Sequence, residues 1–198
     1  MDRDDSNLRW KHLHTEHLIQ DQWIDLRATS YQMPDGNVYE PYYTFRRKDY
    51  VVIVASDTEG KYLTVRQFRQ GCRCVTTEFP AGCIEPEKEE RKAEADMEMP
   101  AAPCSEEAAL MAAKRELKEE TGYTCEDWEH ILTLPAEATV SEDFVHLYRA
   151  KNCRKVSGQT LDDMEFLHVE LHTAEEIDQL IREGRFQQIS HVAAWRLL

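Results

Sequence analysis

Residues 115–123 read Arg-Glu-Leu-Lys-Glu-Glu-Thr-Gly-Tyr, and this stretch determines how the rest of the chain is interpreted. It places Glu116, Glu119 and Glu120 three and four residues apart, so that in a helix their carboxylates share one face. Like charges at this spacing weaken a helix by roughly 0.2–0.5 kcal/mol per pair unless a cation lies among them. Such a face suits Mg2+ or Mn2+, although a solvated acidic helix surface has the same composition.

The residues around this stretch predict the helix that carries it. Ser105 is followed by two glutamates, which is typical of a helix start with Ser105 as the N-cap. Four alanines between residues 108 and 113 favour continuation of the helix, and Gly122 favours its end. The three carboxylates would then lie in the last two turns, where the helix dipole does not stabilise negative charge.

The remaining chain predicts strands on both sides of this helix. Residues 18–32 and 38–46 flank the turn Pro34-Asp-Gly-Asn37 and predict a long N-terminal β-hairpin. The continuous apolar run at 50–55 predicts a buried strand. Further strands are expected at about 62–68, 76–79, 128–134, 143–150 and 165–171, with helices at about 173–183 and from 190. The pattern predicts a mixed α/β (α+β) layered domain.

Composition excludes several classes of function. The 198 residues suffice for one domain with an appended element. The formal net charge of -14 argues against sequence-independent binding to nucleic acid and against anchoring on anionic lipid. The chain has no apolar stretch of about 18 residues and begins Met-Asp-Arg-Asp-Asp, so we expect a cytoplasmic protein with no membrane segment. Its six cysteines are expected to be reduced thiols.

Residues 85–104 differ in composition from the rest of the chain. Glu and Lys alternate there without an apolar period, and Met-Pro-Ala-Ala-Pro closes the segment. This composition predicts an exposed, mobile acidic insertion between the early strands and the central helix.

The stretch 115–123 resembles the second half of the Nudix box, Arg-Glu-apolar-x-Glu-Glu-x-Gly-apolar, at every specified position. In the first half of the box, Glu107 has the right spacing from Arg115, but Ala101 stands where a glycine is expected. The glycine that looks like the family's is Gly82, so we expect the insertion to lengthen the loop between the two halves. Glu107 is then either a counterpart of the box acid or an ordinary acid in the first turn of the helix.

The resemblance implies a Nudix fold, which is a mixed β-sheet sandwiched between helices, and hydrolysis of a nucleoside diphosphate linked to another moiety. On the matching positions Glu116, Glu119 and Glu120 would bind Mg2+, with Mn2+ as an alternative, and the Ala81 carbonyl could complete the shell. Arg115 is expected to orient or neutralise these acids.

A longer resemblance narrows the substrate. Trp23, the turn at 31–36, Arg46-Arg47, Arg66-Gln-Phe-Arg69 and Glu78-Phe-Pro-Ala-Gly82 occur in the order seen in ADP-ribose and ADP-sugar pyrophosphatases. The similarity covers roughly residues 20–172 and implies cleavage of ADP-ribose to AMP and ribose 5-phosphate. It also implies a homodimer, with residues 1–48 as a hairpin dimerisation element and residues 49–198 as the Nudix domain.

The same resemblance suggests the residues that contact the substrate. Arg69 and one of Arg46 and Arg47 correspond to arginines that contact phosphate or ribose, since guanidinium forks suit phosphate oxygens. Glu78 corresponds to a polar contact near the terminal sugar or base. Trp23 either stacks on adenine or packs the hairpin, and each arginine taken alone is compatible with an ordinary surface strand.

The catalytic base is sought among acids outside the box. Leu161-Asp-Asp-Met-Glu-Phe166 lies where the resembling enzymes carry such an acid, and we rank Glu165 before Asp163 and Asp162. Glu119 of the box is also considered for catalysis, and Ser141-Glu-Asp143 is either a second candidate or a solvated turn. Two alternatives to an ADP-sugar pyrophosphatase remain: a Nudix hydrolase of another nucleoside diphosphate derivative, and a non-catalytic sensor of nucleotide sugars.

Overall fold

The computed structural model describes residues 5–85 and 101–198 of the chain. The described residues divide into two compact units. The smaller unit comprises residues 5–48, 101–103 and 135–144, and the larger comprises residues 49–85, 104–134 and 145–198. Most of the predicted acidic insertion at 85–104 lies outside the described residues, so its mobility stays a prediction.

The larger unit is built on a mixed sheet with β4 at its centre. The strands are β4 (Tyr50–Asp57), β5 (Tyr62–Arg69), β6 (Cys74–Glu78), β7 (Ala81–Cys83), β8 (Tyr123–Thr124), β9 (Asp127–Pro135), β10 (Phe144–Lys155) and β11 (Leu167–His172). The central order is β11-β5-β4-β10-β8, with β6 on β5, β7 on β4 and β9 on β10. β10 runs parallel to β4. The pairs β10–β8, β11–β5, β5–β4, β4–β7 and β5–β6 are antiparallel.

Helices cover both faces of this sheet. Successive side chains of β4 point to opposite faces, so each face packs against different helices. Val51 and Ile53 pack with Ala113 and Leu117 of α1 (Glu106–Thr121). Val52 and Val54 pack with residues of α2 (Ala174–Arg182) and α3 (Ile189–Arg196). β4 is therefore buried on both faces, which explains its continuous apolar sequence. The predicted mixed sheet between helices is confirmed.

Both predicted ends of α1 are present. The Ser105 hydroxyl accepts a hydrogen bond from the backbone N–H of Ala108 at 3.2 Å, which is the N-cap contact. At the other end Gly122 adopts a left-handed conformation, with φ of 76°, and donates its N–H to the carbonyl of Lys118. Of the helices in residues 5–85 and 101–198, none is long and apolar enough to span a membrane.

The smaller unit contains a three-stranded antiparallel sheet instead of the predicted hairpin alone. β2 (Asp25–Gln32) and β3 (Val38–Arg46) form that hairpin, and β1 (Lys11–Gln20) adds a third strand on the other side of β2. The prediction merged residues 18–20 with β2. A turn separates them, because the Asp21 carboxylate accepts the backbone N–H groups of Trp23 and Ile24.

Candidate active site

The last two turns of α1 carry two buried carboxylates and one exposed one. Glu116 and Glu120 are 7% and 3% exposed, whereas the Glu119 side chain is 39% exposed. Burial raises the pKa of Glu116 to about 7, with Arg115 opposing the shift and Glu119 and Glu165 adding to it. Burial and the charge of Glu116 raise the pKa of Glu120 well above its usual range. Two buried carboxylates that disfavour each other's charge form an oxygen donor set that fits a hard divalent cation.

The backbone of β7 lies directly against these carboxylates. The N–H of Ala81 donates to Oε2 of Glu120 at 3.0 Å. A Cβ atom at position 82 would overlap the carboxylate of Glu116, so this close approach requires glycine. Gly82, the residue that resembles the box glycine, therefore has a steric requirement for glycine.

Arg115 contacts the neighbouring acids as predicted. Its Nη2 lies 2.7 Å from Oε1 of Glu116, and its Nη1 lies 2.9 Å from Oε2 of Glu119. Nη2 also donates to the carbonyl of Cys83 at 3.0 Å. The guanidinium thus joins the acidic face of α1 to the end of β7 and offsets part of the negative charge there. Glu107, by contrast, lies in the first turn of α1, at the opposite end of the helix.

A second charged group is formed by Arg69 at the end of β5 and Glu78 at the end of β6. Arg69 donates from Nε to Oε1 of Glu78 at 2.9 Å and from Nη2 to Oε2 at 2.5 Å. The Thr76 hydroxyl also donates to this carboxylate. Burial would raise the pKa of Glu78, but these hydrogen bonds and the charge of Arg69 bring it below its usual value. Glu78 is therefore a buried anion that holds the guanidinium of Arg69.

Burial lowers the pKa of Arg69, but Glu78 and, to a smaller extent, Glu120 raise it, so the guanidinium charge acts on the carboxylate site. About a third of its side chain is exposed, whereas Glu78 is fully buried beneath it. The predicted contact of Arg69 with phosphate is compatible with this arrangement. A direct contact of Glu78 with a substrate stays a prediction, because in this structure its carboxylate contacts Arg69 and Thr76.

His191 of α3 supports the same region and was missed in the sequence. Its Nδ1 accepts the backbone N–H of Phe79 at 3.0 Å, and its ring lies parallel to the Phe79 ring. Burial lowers the pKa of His191 to about 4, with Glu78 opposing the shift and Arg69 adding to it. His191 is thus a neutral acceptor behind the segment that links Glu78 to Gly82. No motif marks a single histidine in a C-terminal helix, so only the structure reveals it.

The loop before β11 brings Glu165 towards the carboxylates of α1. Glu165 is half-buried, and its charge raises the pKa of both Glu116 and Glu120. Its Oε2 accepts the backbone N–H of Asp162 at 3.1 Å. Asp162 and Asp163 are exposed. Of the three acids considered in this loop, the structure therefore relates Glu165 to the buried pair.

Backbone and side-chain hydrogen bonds fix the start of this loop to α1. Gln159 donates from Nε2 to the carbonyl of Glu120 at 2.8 Å, and the N–H of Thr160 donates to the carbonyl of Glu119 at 2.8 Å. These bonds satisfy two carbonyls at the C-terminal end of the helix, which otherwise lack partners within the helix. The loop is thereby held beside the acidic face.

Three predicted substrate residues belong to the smaller unit. Trp23 lies in the turn after β1 and is 68% exposed, so it does not pack the hairpin. Arg46 ends β3, and Arg47 follows it. The predicted contacts of these three residues with a substrate stay predictions.

The acidic loop Ser141-Glu-Asp143 is not the solvated turn considered above. Both Oε atoms of Glu142 accept hydrogen bonds from Nη1 of Arg27, each at 2.8 Å. Asp143 is buried and accepts a hydrogen bond from the Ser141 hydroxyl. The loop carboxylates therefore form internal contacts of the smaller unit.

The smaller unit also contains a cavity of about 490 Å3. Its lining includes Trp10, Tyr31, Tyr42 and Thr44. The rings of Trp10, Tyr31 and Tyr42 meet edge-on, with centroids about 6 Å apart. The lining combines Trp10, which precedes β1, with residues of β2 and β3 and with residues 135–144, so no single stretch of the sequence predicts this cavity.

Comparison with known proteins places this geometry in a family. The family model for the NUDIX domain matches residues 46–193, a range that includes α1 and the sheet beneath it. The chain belongs to the Nudix family, as the resemblance of residues 115–123 predicted. It is a Nudix hydrolase by this match and by the relatives described next.

Three curated relatives cover most of the chain. The methanol dehydrogenase activator of Bacillus methanolicus is 27% identical over 189 residues, covering 95% of this chain and 91% of that protein. The ADP-ribose pyrophosphatase of Bacillus subtilis (strain 168) is 26% identical over 176 residues, with 88% and 84% covered. The CMP-5'-(N-acetyl-N-hydroxy-3-aminopropyl)phosphonate hydrolase of Streptomyces rubellomurinus is 25% identical over 171 residues, with 86% and 73% covered.

A solved structure described as an ADP compounds hydrolase shares the fold. It superposes with a TM-score of 0.72 at 18% identity, covering 96% of this chain and 91% of that chain. The predicted Nudix fold is confirmed, and so is the predicted resemblance to the ADP-ribose pyrophosphatase subgroup.

Proposed function

We propose that this protein hydrolyses the pyrophosphate of ADP-ribose or a related ADP-sugar to AMP and a sugar phosphate. The observation that carries the proposal is the buried pair Glu116 and Glu120. Their raised pKa values indicate that the two carboxylates are stabilised as anions when a cation binds between them. The ADP-ribose pyrophosphatase among the relatives supports the choice of substrate.

The residues that would hold Mg2+, or Mn2+ in its place, are Glu116, Glu119 and Glu120, with the Ala81 carbonyl as a further ligand. Their hard oxygen atoms match the preference of both ions. When bound, such an ion offsets the charge of the pyrophosphate oxygens and makes water a better nucleophile at neutral pH.

The other side chains of the site have separate roles in this proposal. Arg69 binds a phosphate oxygen, and Glu78 positions it through the bidentate contact. Glu165 accepts a proton from the attacking water, because it is the loop acid that interacts with the buried pair. Asp163 and Glu119 are the alternatives for that step.

A substrate panel tests the proposal. We expect ADP-ribose with Mg2+ to give AMP and ribose 5-phosphate in equal amounts, identified by chromatography and mass spectrometry. The panel includes other ADP-sugars and CMP- and UDP-linked compounds at equal concentration. Absence of AMP from every ADP-linked compound, in protein that is folded and loaded with Mg2+, would overturn the proposal.

Two relatives favour the alternative functions. The phosphonate hydrolase favours a cytidine-linked substrate, which the same panel detects as CMP. The methanol dehydrogenase activator is named for an effect on another protein, which favours a nucleotide sensor. Binding of ADP-ribose in calorimetry without any product would support the sensor.

We further propose that the protein is a homodimer through the sheet of the smaller unit. β1 and β3 expose large apolar side chains to solvent, among them Leu13, Leu18, Ile19, Val38, Tyr39 and Tyr43. Large exposed apolar side chains on both outer strands of one sheet favour an interface there. A small sheet with exposed apolar side chains on its outer strands also gains stability from a partner.

A further inference from the structure

A second group of metal-binding side chains lies in the larger unit and shares no residue with the carboxylate site. Asp49, Cys104 and His146 each place one ligand atom within 4.8 Å of the other two. Sγ of Cys104 is 3.3 Å from Nε2 of His146, and that Nε2 is 3.9 Å from Oδ2 of Asp49. A sulfur and a nitrogen bound to one tetrahedral Zn2+ are themselves about 3.5 Å apart. The three atoms therefore need only small shifts to share an ion.

The histidine is already oriented for such a role. His146 lies on β10 and is 2% exposed, and its Nδ1 forms a 3.0 Å hydrogen bond with the Thr133 hydroxyl. This contact directs Nε2 towards Cys104. Metal-bound histidines have such a partner on the second ring nitrogen, because it fixes the ring and the tautomer.

Asp49 connects the two chain segments that lead into and out of residues 85–103. Its backbone carbonyl accepts the N–H of Ile84 at 2.8 Å, and its Oδ2 accepts the N–H of Cys104 at 2.8 Å. Cys104 directly precedes Ser105, the N-cap of α1. The cluster thus lies where the chain enters the helix that carries the buried carboxylates.

We propose that Asp49, Cys104 and His146 bind Zn2+, and that the ion fixes the start of α1 to β10 and to the beginning of β4. Thiolate and imidazole ligands select zinc over magnesium, whereas the all-oxygen site at Glu116 and Glu120 has the opposite preference. Three protein ligands leave a fourth position for water.

Cobalt absorption tests the site without reference to activity. Co2+ is added to the purified full chain in excess Mg2+, which occupies oxygen sites. We expect one equivalent to produce the thiolate-to-cobalt charge-transfer band and the strong visible bands of tetrahedral Co2+. Zn2+ at one equivalent is expected to remove them.

Two variants locate the signal. Cys104→Ser is expected to lose the charge-transfer band, whereas Cys72→Ser/Cys74→Ser is expected to keep it. The double variant is the matched control. It removes two thiols outside the proposed site whose sulfurs lie 3.3 Å apart and could themselves bind Co2+. A charge-transfer band that persists in Cys104→Ser, disappears in the double variant, or never forms in the wild type overturns the proposal.

Thr133→Val tests the orientation of His146 while Asp49, Cys104 and His146 all remain in place. Loss of the hydroxyl that orients His146 is expected to weaken Zn2+ affinity by about 10–100-fold in a competition titration against a chelator. Circular dichroism verifies that each variant is folded. Unchanged affinity in folded Thr133→Val contradicts the role assigned to His146.

Discussion

A methyl group at position 82 has no room beside the carboxylate of Glu116. We therefore predict that Gly82→Ala displaces this carboxylate and lowers turnover on the order of 10²-fold, as expected when a reacting group moves by about 1 Å. Steady-state kinetics with ADP-ribose and Mg2+ measures the effect.

The matched control is Gly71→Ala. Open space surrounds Gly71, and its φ lies outside the left-handed region, so alanine fits there. Its kinetics should equal those of the wild type. Equal activity of Gly82→Ala and Gly71→Ala would show that Glu116 does not need its present position.

His191 makes stability depend on pH in a defined direction. Its pKa in the folded protein is about 4, below the ordinary value of 6.5, so the unfolded chain binds the proton more readily. The free energy of unfolding should therefore fall as the pH drops from about 6.5 to 4, by about 3 kcal/mol at most from this group.

His191→Asn isolates this contribution, since asparagine offers Phe79 an acceptor but does not titrate. Urea unfolding of both proteins between pH 7 and 4 measures their free energies of unfolding. The difference between the two proteins cancels the contributions of the other titrating groups. The advantage of the wild type should shrink as the pH falls. Parallel pH profiles would contradict a neutral His191 that must be protonated on unfolding.

The spacing of Glu116, Glu119 and Glu120 predicted the acidic helix face because helical periodicity is local. The family resemblance identified Gly82 but not its contact with Glu116, which joins residues on β7 and α1 that are distant in sequence. The burial of Glu78 beneath Arg69 could not be predicted. It depends on the antiparallel register between β5 and β6, which puts Arg69 opposite Cys74 and Glu78 opposite Val65, so that the long arginine side chain reaches Glu78 along one face of the sheet.

The C-terminal end of α1 has both a backbone and a packing requirement. Gly122 has φ of 76°, and a Cβ there would overlap the carbonyl oxygen of Ser157. Gly60 has φ of 81° with open space around it. We predict that Gly60→Ala costs about 1–2 kcal/mol of backbone strain, and that Gly122→Ala costs at least about 1 kcal/mol more through the overlap.

Chemical denaturation of the two variants measures both costs. The difference between them reports the overlap alone, because the backbone strain is shared. Equal destabilisation would contradict close packing of the helix end against residues 156–158. Such a result would also weaken the argument that Gly122 fixes the position of the last helical turn, which carries Glu119 and Glu120.

Elements with a strong local signal were predicted well, whereas β1 and the short strands β7 and β8, which have weak signals, were not. β4 and α1 have a continuous apolar run and clear caps, respectively, so their type and approximate bounds follow from local rules. β1 is exposed along most of its length and carries three histidines, so it lacks the alternation that marks a half-buried strand. Backbone pairing with β2 holds β1 in the strand conformation, which its own sequence pattern does not predict.

The distribution of apolar surface in the whole molecule predicts association. The sheet of the smaller unit exposes apolar side chains on β1 and β3, whereas the larger unit covers its central strands with helices. We predict that Leu18→Glu combined with Val38→Glu converts a dimer to a monomer, since charges at an apolar interface are costly to bury. Light scattering coupled to size exclusion measures the mass.

Met111→Glu is the control for this experiment. Met111 is 66% exposed on α1, so the substitution adds a charge to an exposed apolar position of the larger unit. The control should keep the mass of the wild type. A wild-type protein that is monomeric at micromolar concentration contradicts the proposed dimer.

The central claim is that Glu120 belongs to a metal site that hydrolyses ADP-ribose. Its most direct test is the turnover of ADP-ribose with Mg2+ by Glu120→Gln, beside Glu107→Gln as a control at the far end of the same helix. Glutamine keeps an acceptor for the N–H of Ala81 and removes a buried charge, so the variant should remain folded. The proposed role of Glu120 predicts a loss of roughly 10²–10³-fold or more, with Glu107→Gln unchanged. Full activity of folded Glu120→Gln would contradict it.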